Sequence, residues 1–335
     1  MKINDIKLQS KIYELMVQSR VLEERLIKMN KSGLGFFWIG GPGEEAFNVP
    51  LGLLIHKGEG IAYDYLHFHY RQSATLLAMG EPVINFIRQM NNTMTDPYSK
   101  GRNFVGHSAI KKWNITPISS PIEVQYSTAI GTAVAQAREN GQGITIVTGG
   151  DAGTAEGDFA SCLVWASRQG RELPMLIIVT DNRFGISTCF NEVHCDRPIA
   201  DRARGFGIEA ITINGNDPIE SYQAIEKAME YVRTKRRPYF LEARVSRLYG
   251  HSSASGANWI SGEVDCIKEF EKVLKTKNIL ADEDFTKIHK KYEDEIVPCV
   301  QKVLKELKPS ATTIFDDIFE NRKDASVPWP RWLKP

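Results

Sequence analysis

The chain has 335 residues and an almost even charge balance, with 42 Lys and Arg against 41 Asp and Glu and a net charge of +1. This balance excludes a nucleic-acid-binding surface inferred from bulk charge. With 42% hydrophobic and 25% charged residues, the composition is that of an ordinary globular protein. No apolar run reaches the roughly 18 residues of a membrane span. The polar N-terminal segment does not fit a signal peptide, so we expect a cytoplasmic protein without nucleic-acid or membrane partners.

Five cysteines are scattered along the sequence, and no pair forms a C-x-x-C motif. This spacing predicts neither a disulfide framework nor a zinc ribbon.

The N-terminal third is predicted to be helical, with long connections. Apolar residues recur at helical spacing over residues 5–31. A glycine-rich stretch at 33–43 then leads into a buried helix. A short strand is predicted at 61–65 and a helix at 73–92. The long connection that follows, at 93–121, is typical of a functional or mobile segment.

The middle of the chain alternates strands with helices. Four apolar runs predict buried strands, at residues 144–148, 175–180, 207–213 and 239–245. Helices are predicted at residues 123–140, 158–169 and 218–235. Such alternation predicts an α/β fold with a doubly wound, mostly parallel sheet flanked by helices. An N-terminal helix precedes the sheet and a helical region follows residue 262. Residues 1–308 would form one domain and residues 309–335 a C-terminal tail.

Polar residues follow two of the predicted strands directly, in the segments GGDAGTAEGD and DNRFGIST. Ligands of open α/β sheets bind outside the carboxyl ends of the strands. Asp151, Asn182 and the carbonyl of Phe184 would supply the oxygen ligands that Mg²⁺ shares with a phosphate. A helix starting near Gly157 would present free N–H groups to the anion. A magnesium-bound diphosphate fits this pattern, and the alternative is that Asp151 and Asn182 only cap turns and helices.

Several common motifs are absent from the sequence. There is no G-x-G-x-x-G after a strand, no G-x-x-x-x-G-K-[ST] and no G-x-S-x-G. Dinucleotide enzymes, P-loop NTPases and α/β-hydrolases are therefore disfavoured.

The two polar segments resemble the thiamine-diphosphate motif, whose usual form is Gly-Asp-Gly followed later by Asn-Asn. Over nearly the whole chain, the sequence resembles the alpha subunit of the decarboxylating component of 2-oxo acid dehydrogenases, closer to the branched-chain than to the pyruvate type. Further motifs in the same order are GEE at 43–45, HYR at 69–71, GRNFVGH at 101–107, ISSPIEVQ at 118–125 and RLYGHSS at 247–253. The resemblance implies the thiamine-diphosphate-binding fold and the cofactors thiamine diphosphate and Mg²⁺.

The resemblance also implies roles for single residues. Arg71 would bind the diphosphate, for which its planar fork is suited. The Ser120 carbonyl would accept from the 4′-amino group of the cofactor. Ile122 would be the apolar wedge that bends the cofactor, although Ile122 alone would be taken for a core residue. His251 would contact the diphosphate or do acid–base work near the reacting carbon. The residues expected to bind the cofactor are Tyr70, Arg71, Ser120, Ile122, Gly150, Asp151, Ala152, Gly153, Asn182, Phe184, Ile186 and His251.

The sequence departs from the family pattern at several of these positions. Ala152 replaces the third motif glycine, and Asp181 replaces the first Asn of the pair. Thr180 stands where branched-chain members carry a phosphate-binding Arg. Residues 254–255 read Ala-Ser instead of Ser-Asp. Val124 replaces the Thr of the potassium-binding segment, so K⁺ is a further candidate cofactor only.

The implied reaction is the oxidative decarboxylation of a 2-oxo acid, branched-chain or pyruvate, with transfer of the acyl group to the lipoyl group of an acyltransferase. In this family a glutamate on a separate beta subunit activates the cofactor. The chain would therefore be half of an active site, in a heterotetramer of two alpha and two beta subunits, with its C-terminal tail packed on the partner or on the core. Two alternatives stay open: an acetoin dehydrogenase alpha subunit, and a non-catalytic scaffold that has lost tight cofactor binding.

Overall fold

The computed structural model describes residue 3, residues 5–195 and residues 197–313. Most of the predicted C-terminal tail, 309–335, lies outside the described residues. Within the part of the chain that is described, no helix combines the length and the hydropathy needed to cross a membrane.

A five-stranded parallel sheet lies at the centre of the fold. Its strands are β1 (Tyr65–His67), β2 (Thr145–Gly150), β3 (Met175–Asp181), β6 (Glu209–Asn214) and β7 (Tyr239–Arg244). Their order across the sheet is β1-β2-β3-β7-β6, and every neighbouring pair is parallel. A small antiparallel hairpin of β4 (Phe184–Gly185) and β5 (Thr188–Cys189) follows β3. The predicted fold class, a mostly parallel α/β sheet, is confirmed.

Eleven helices within the described residues surround the sheet. They are α1 (Ile6–Lys31), α2 (Glu45–Leu54), α3 (Ser73–Met79), α4 (Val83–Met90), α5 (Val124–Arg138), α6 (Gly157–Ala166), α7 (Phe190–Val193), α8 (Ala200–Gly205), α9 (Pro218–Lys235), α10 (Cys266–Thr276) and α11 (Asp282–Val303). The helices α1, α2 and α9 contribute to the hydrophobic core on one face of the sheet, and α5, α6 and α8 to the core on the other.

Strand β3 shows why its sequence is apolar throughout. Leu176 and Ile178 pack into the first core, whereas Met175, Ile177 and Val179 pack into the second. Successive side chains of a strand point to opposite faces, so a strand covered on both faces is apolar at every position. This is the reason that the continuous apolar runs predicted β2 and β3.

Two predicted elements are wrong in their bounds. The single helix predicted at 73–92 is two helices, because Gly80 ends α3 with φ +102° and Pro82 begins α4. The strand predicted at 61–65 is found as β1, which starts only at the last of these residues. The buried Asp64 carboxylate accepts from the backbone N–H of His56 and of Ile144, which holds this residue in a turn before the strand.

The carboxyl ends of β2 and β3 lie level with each other. Thr145 pairs with Met175 at one end of the ladder, and Gly150 pairs with Thr180 at the other. Asp151 therefore emerges from the sheet beside the residues that follow Thr180. The pairing of two strands brings the two polar segments together.

Candidate cofactor site

Asp151 and Asn182 lie at the level carboxyl ends of β2 and β3, and both side chains are buried. The Asp151 backbone carbonyl accepts from the Thr154 hydroxyl at 2.7 Å, which closes the short helical turn Ala152–Ala155. Asp151 Oδ2 has no hydrogen-bond partner. Asn182 Oδ1 accepts from the Phe184 N–H at 3.1 Å. A buried carboxylate oxygen without a partner, beside an amide oxygen, is an arrangement that a cation would satisfy.

The electrostatics of Asp151 fit the same interpretation. Burial and, second, the charge of the nearby Asp181 raise the pKa of its carboxyl from 3.8 to about 7, although the charge of Arg71 opposes the shift. The ionised carboxylate therefore costs free energy in this environment. A bound cation would offset that cost.

Asp181 and Arg183 neutralise each other. The Arg183 N–H donates to Asp181 Oδ1 at 2.9 Å, and its guanidinium lies 3.4 Å from Oδ2. The extra negative charge at position 181 is therefore paired within its own loop.

Arg71 is a buried cation with an unused hydrogen-bond donor. Its Nη1 has no hydrogen-bond partner, and the nearest carboxylate oxygen, on Glu44, lies 3.7 Å away. The guanidinium lies against Gly150, where an added Cβ would come within 3.1 Å of Nη1. A phosphate oxygen would provide the missing acceptor.

A cluster of aromatic rings surrounds Tyr70. The Tyr70 ring centroid lies 3.8 Å from that of His69, 6.2 Å from that of His107 and 6.0 Å from that of His251. Burial, and then the charges of Arg71 and Arg247, lower the pKa of His251 to about 4. His251 is therefore neutral at physiological pH, and its Nδ1 has no partner.

Ser120 is exposed and is oriented by His107. His107 Nδ1 lies 3.2 Å from the Val105 carbonyl, so this nitrogen carries the proton and donates. Nε2 is then the acceptor for the Ser120 hydroxyl at 2.7 Å. The hydrogen bond between His107 and Ser120 was not predicted, because nothing in the order of residues along the chain indicates it.

Ile122, just before α5, and Ile186, in the β4–β5 hairpin, are apolar side chains with 48% and 52% of their surface exposed, and we call these two residues the apolar rim. Ile186 has a left-handed backbone, with φ +58°, and its carbonyl accepts from Arg247 Nη1 at 2.7 Å. A left-handed β-branched residue is strained, so the Arg247 bond stabilises an unusual loop geometry. Arg247 therefore anchors the loop that carries Ile186.

The altered glycine pattern of the motif has a steric explanation. The buried Glu123 carboxylate lies against Gly149 and Gly153, where an added Cβ would collide with its oxygens. Residue 153 must therefore be glycine. Ala152 has its own compensation, because a Cβ at Gly185 would lie 2.6 Å from the Ala152 Cβ. Gly185 thus leaves room for the Ala152 methyl group, and Glu123 fills the space that a Cβ at residue 153 would need.

Glu123 is a residue of the site that sequence reasoning missed. It has φ +66°, and its Oε1 accepts from the Gly150 N–H at 3.3 Å. Burial raises the pKa of its carboxyl to about 8. An isolated acidic residue before a helix gives no signal of burial, because the left-handed backbone that turns it inward cannot be recognised from the side-chain pattern.

His194 and Arg202 also support the loop that carries Asp151, and neither was identified from sequence. Arg202 Nη2 donates to His194 Nδ1 at 2.8 Å, so the ring proton is on Nε2, which donates to the Asp151 carbonyl at 2.9 Å. Arg202 Nη1 donates to the Thr154 carbonyl at 2.9 Å. The side chains of His194 and Arg202 thus hold the loop that carries Asp151.

The residues present fit a magnesium-bound diphosphate. Unpartnered atoms of both kinds meet here, a carboxylate oxygen on Asp151 and a cationic donor on Arg71. No group of three His, Cys, Asp or Glu side chains among the described residues could hold a metal by itself. A cation at this place would depend on two side chains, the backbone and its ligand, which is the preference of Mg²⁺.

Comparison with known proteins gives consistent matches. The sequence model of one family, described as "Dehydrogenase E1 component", matches residues 13–312. The chain is 31% identical over 304 residues to the 2-oxoisovalerate dehydrogenase subunit alpha of Bacillus subtilis (strain 168), covering 88% of this chain and 89% of that protein. It is 26% identical over 320 residues to the mitochondrial 2-oxoisovalerate dehydrogenase subunit alpha of Mus musculus, covering 92% of this chain and 70% of that protein.

Proposed function

Because the chain belongs to the dehydrogenase E1 component family, we propose that it is the alpha subunit of a branched-chain 2-oxo acid dehydrogenase and that the residues at the ends of β2 and β3 bind thiamine diphosphate and Mg²⁺. The family match carries this proposal, since it spans the whole site. The similarity to 2-oxoisovalerate dehydrogenase alpha subunits favours this function over that of an acetoin dehydrogenase or of a scaffold.

The metal and the diphosphate would be held by groups that lack partners in the protein. Asp151, Asn182 and the carbonyl of Phe184 would ligate Mg²⁺. The free Nη1 of Arg71 would donate to the diphosphate. Bound thiamine diphosphate supplies the nucleophilic carbon and the electron sink for decarboxylation. The chain itself supplies charge and position.

His251 would act on protons near the reacting carbon. Its depressed pKa keeps the imidazole neutral, so Nδ1 or Nε2 can accept a proton. Tyr70 packs edge-on against it at 6.0 Å between centroids and limits its orientation.

A beta subunit would complete the site over the apolar rim of Ile122 and Ile186. Both side chains are about half exposed, so an apolar partner surface would shield them and exclude water from the proposed site. We extend the proposal to two alpha and two beta subunits and to a lipoylated acyltransferase as acyl acceptor. The K⁺ site and a cytoplasmic location stay predictions from the sequence.

The experiment is to purify the chain with its native beta subunit and add thiamine diphosphate and Mg²⁺. Decarboxylation of branched-chain 2-oxo acids and pyruvate, and oxidative cleavage of acetoin, are then measured with an artificial electron acceptor. We expect turnover of a branched-chain 2-oxo acid and its loss in Asp151→Asn. Turnover of acetoin alone would establish the acetoin enzyme instead. An assembled complex that takes up no cofactor at saturating Mg²⁺ would identify a scaffold.

A further inference from the structure

Two adjacent glutamates, Glu44 and Glu45, lie at the start of α2, and both are buried. Glu45 accepts from Arg20 at 2.7 and 3.0 Å and from the Gly43 N–H at 2.8 Å. It therefore anchors α2 to α1. Glu44 instead faces Arg71 in the candidate cofactor site. The contact between α1 and α2 therefore does not explain why residue 44 is a glutamate.

Glu44 is the counter-ion of Arg71. Its Oε1 lies 3.7 Å from Arg71 Nη1, close enough for charge compensation but too far for a hydrogen bond. Asn48 fixes the arrangement, since its Nδ2 donates to the Arg71 carbonyl at 3.3 Å and to Glu44 Oε2 at 3.5 Å. The buried cation is thus balanced while its donor stays available for a ligand.

Glu44 also faces the side-chain amide of Asn182. The Phe184 N–H must have an acceptor, so the Asn182 atom 3.1 Å from it is the oxygen. The other amide atom is then the NH₂ group, which has no hydrogen-bond partner. Burial raises the pKa of the Glu44 carboxyl, and the charge of Arg71 and the nearby Thr180 and Asn182 side chains oppose that shift. The carboxylate thus attracts the NH₂ end of Asn182, while the Phe184 N–H holds the oxygen.

We propose that Glu44 is a positioning residue shared by the two halves of the site: it balances Arg71 without using its free donor, and it orients Asn182 so that the amide oxygen faces the metal position. This inference rests on the proposed function, because it assigns Glu44 a role toward Mg²⁺ and a diphosphate. Partners that orient metal ligands typically change metal affinity by about 10–100-fold when they are removed.

If Glu44 has this role, its substitution should affect the affinity for Mg²⁺ and the affinity for a diphosphate differently. In Glu44→Gln the shape is kept, but the attraction for the Asn182 NH₂ group weakens, so Mg²⁺ should bind less tightly. The same change removes a negative charge beside Arg71, so a metal-free diphosphate should bind as well as before or better. General damage to the fold would weaken both.

The test uses the full chain assembled with its beta subunit and stripped of cofactor. Tryptophan fluorescence is titrated with Mg²⁺ at fixed thiamine diphosphate, and separately with inorganic pyrophosphate without metal. For Glu44→Gln we expect about tenfold more Mg²⁺ at half-saturation and no loss of pyrophosphate affinity. Glu44→Asp, which keeps the charge but shortens the reach, should shift the Mg²⁺ requirement in the same direction by less.

Two controls separate the possible failures. Glu45→Gln should lower the thermal stability of the cofactor-free protein and leave the Mg²⁺ requirement unchanged, because Glu45 bonds to Arg20. Asp151→Asn should abolish the Mg²⁺ dependence. An unchanged Mg²⁺ requirement in both Glu44 variants, or a parallel loss of Mg²⁺ and pyrophosphate affinity, would overturn the role of Glu44 while leaving the proposed function intact. Absence of Mg²⁺-dependent cofactor binding in the unmodified protein would overturn both.

Discussion

At the scale of single residues, several buried carboxyl groups are unfavourable in their ionised form. Burial raises the pKa of Asp151 to about 7, that of Glu123 to about 8, and that of Glu23, beside Trp38, to about 7. For each group the pKa in the folded state lies above that in the unfolded state, so ionisation favours unfolding. A cation bound at Asp151 would offset the cost of keeping that carboxylate ionised and buried.

The cofactor-free chain should lose stability as the pH rises from about 5 to about 8, through the raised pKa values. Glu123→Gln keeps an acceptor for the Gly150 N–H and should raise the free energy of unfolding above pH 7 by about 1–3 kcal/mol. Chemical denaturation at several pH values measures this. Glu271 is the control of opposite sign, because the nearby His289 and the hydrogen bond from the Tyr13 hydroxyl outweigh its burial and lower its pKa to about 2. Glu271→Gln should destabilise the protein at neutral pH. Equal stability of the Glu123 variant and the unmodified chain at high pH would contradict the expectation.

Magnesium affinity should depend on pH through Asp151. Protons compete with the cation below the carboxyl pKa of about 7, so the Mg²⁺ concentration at half-saturation should rise as the pH falls through that value. Calorimetric titration of the assembled protein, one pH unit on either side of neutrality, measures the change. A pH-independent affinity would show that Asp151 is already ionised in the folded protein.

At the scale of elements, the sequence predicted what depends on regular patterns and missed what depends on long-range contacts. The buried strands β2, β3 and β7 followed from continuous apolar runs, and the position of Asp151 and Asn182 followed from parallel pairing. The β4–β5 hairpin, the break at Gly80 and the inward turn of Glu123 were not predicted, because short hairpins and single left-handed residues leave no periodicity. The support of the Asp151 loop by His194 was equally invisible, since 43 residues separate the two.

The steric contact between residue 153 and Glu123 predicts that substitutions at these two residues are energetically coupled. Gly153→Ala should destabilise the protein by about 1–3 kcal/mol through overpacking against Glu123, and the double variant with Glu123→Ala should recover much of that loss. Thermal unfolding of the two single variants and the double variant measures the coupling. Gly157→Ala is the matched control, because an added Cβ there meets no atom within 4 Å. Additive effects of the two substitutions would mean that the contact does not determine the glycine.

At the scale of the whole molecule, the proposed cofactor site combines a buried part with an exposed part. The sheet and its two cores fix Asp151, Arg71 and Asn182 from within, whereas the rim of Ile122 and Ile186 is half exposed. Under the proposed function, the fold accounts for the positions of these three residues, and a beta subunit that covers the rim would enclose them.

The isolated chain should show no decarboxylation of a 2-oxo acid, and addition of the beta subunit should restore it. Ile122→Ser and Ile186→Ser should weaken the assembled enzyme more than they change the stability of the isolated chain, since neither side chain is buried within it. Activity and sedimentation of chain and complex measure both. Full activity of the chain alone would contradict the half-site interpretation.

The level ends of β2 and β3 have a consequence for how such chains vary in length. Asp151 and Asn182 are set side by side by strand pairing alone, while the chain between them turns at the opposite edge of the sheet, where Gly170 is exposed with φ +70°. Residues inserted at that turn add length without moving either ligand. A peptide tag inserted after Gly170 should therefore leave Asp151 and Asn182 in place. For the same reason, the number of residues between the two halves of the motif is a poor guide to whether a chain carries the site.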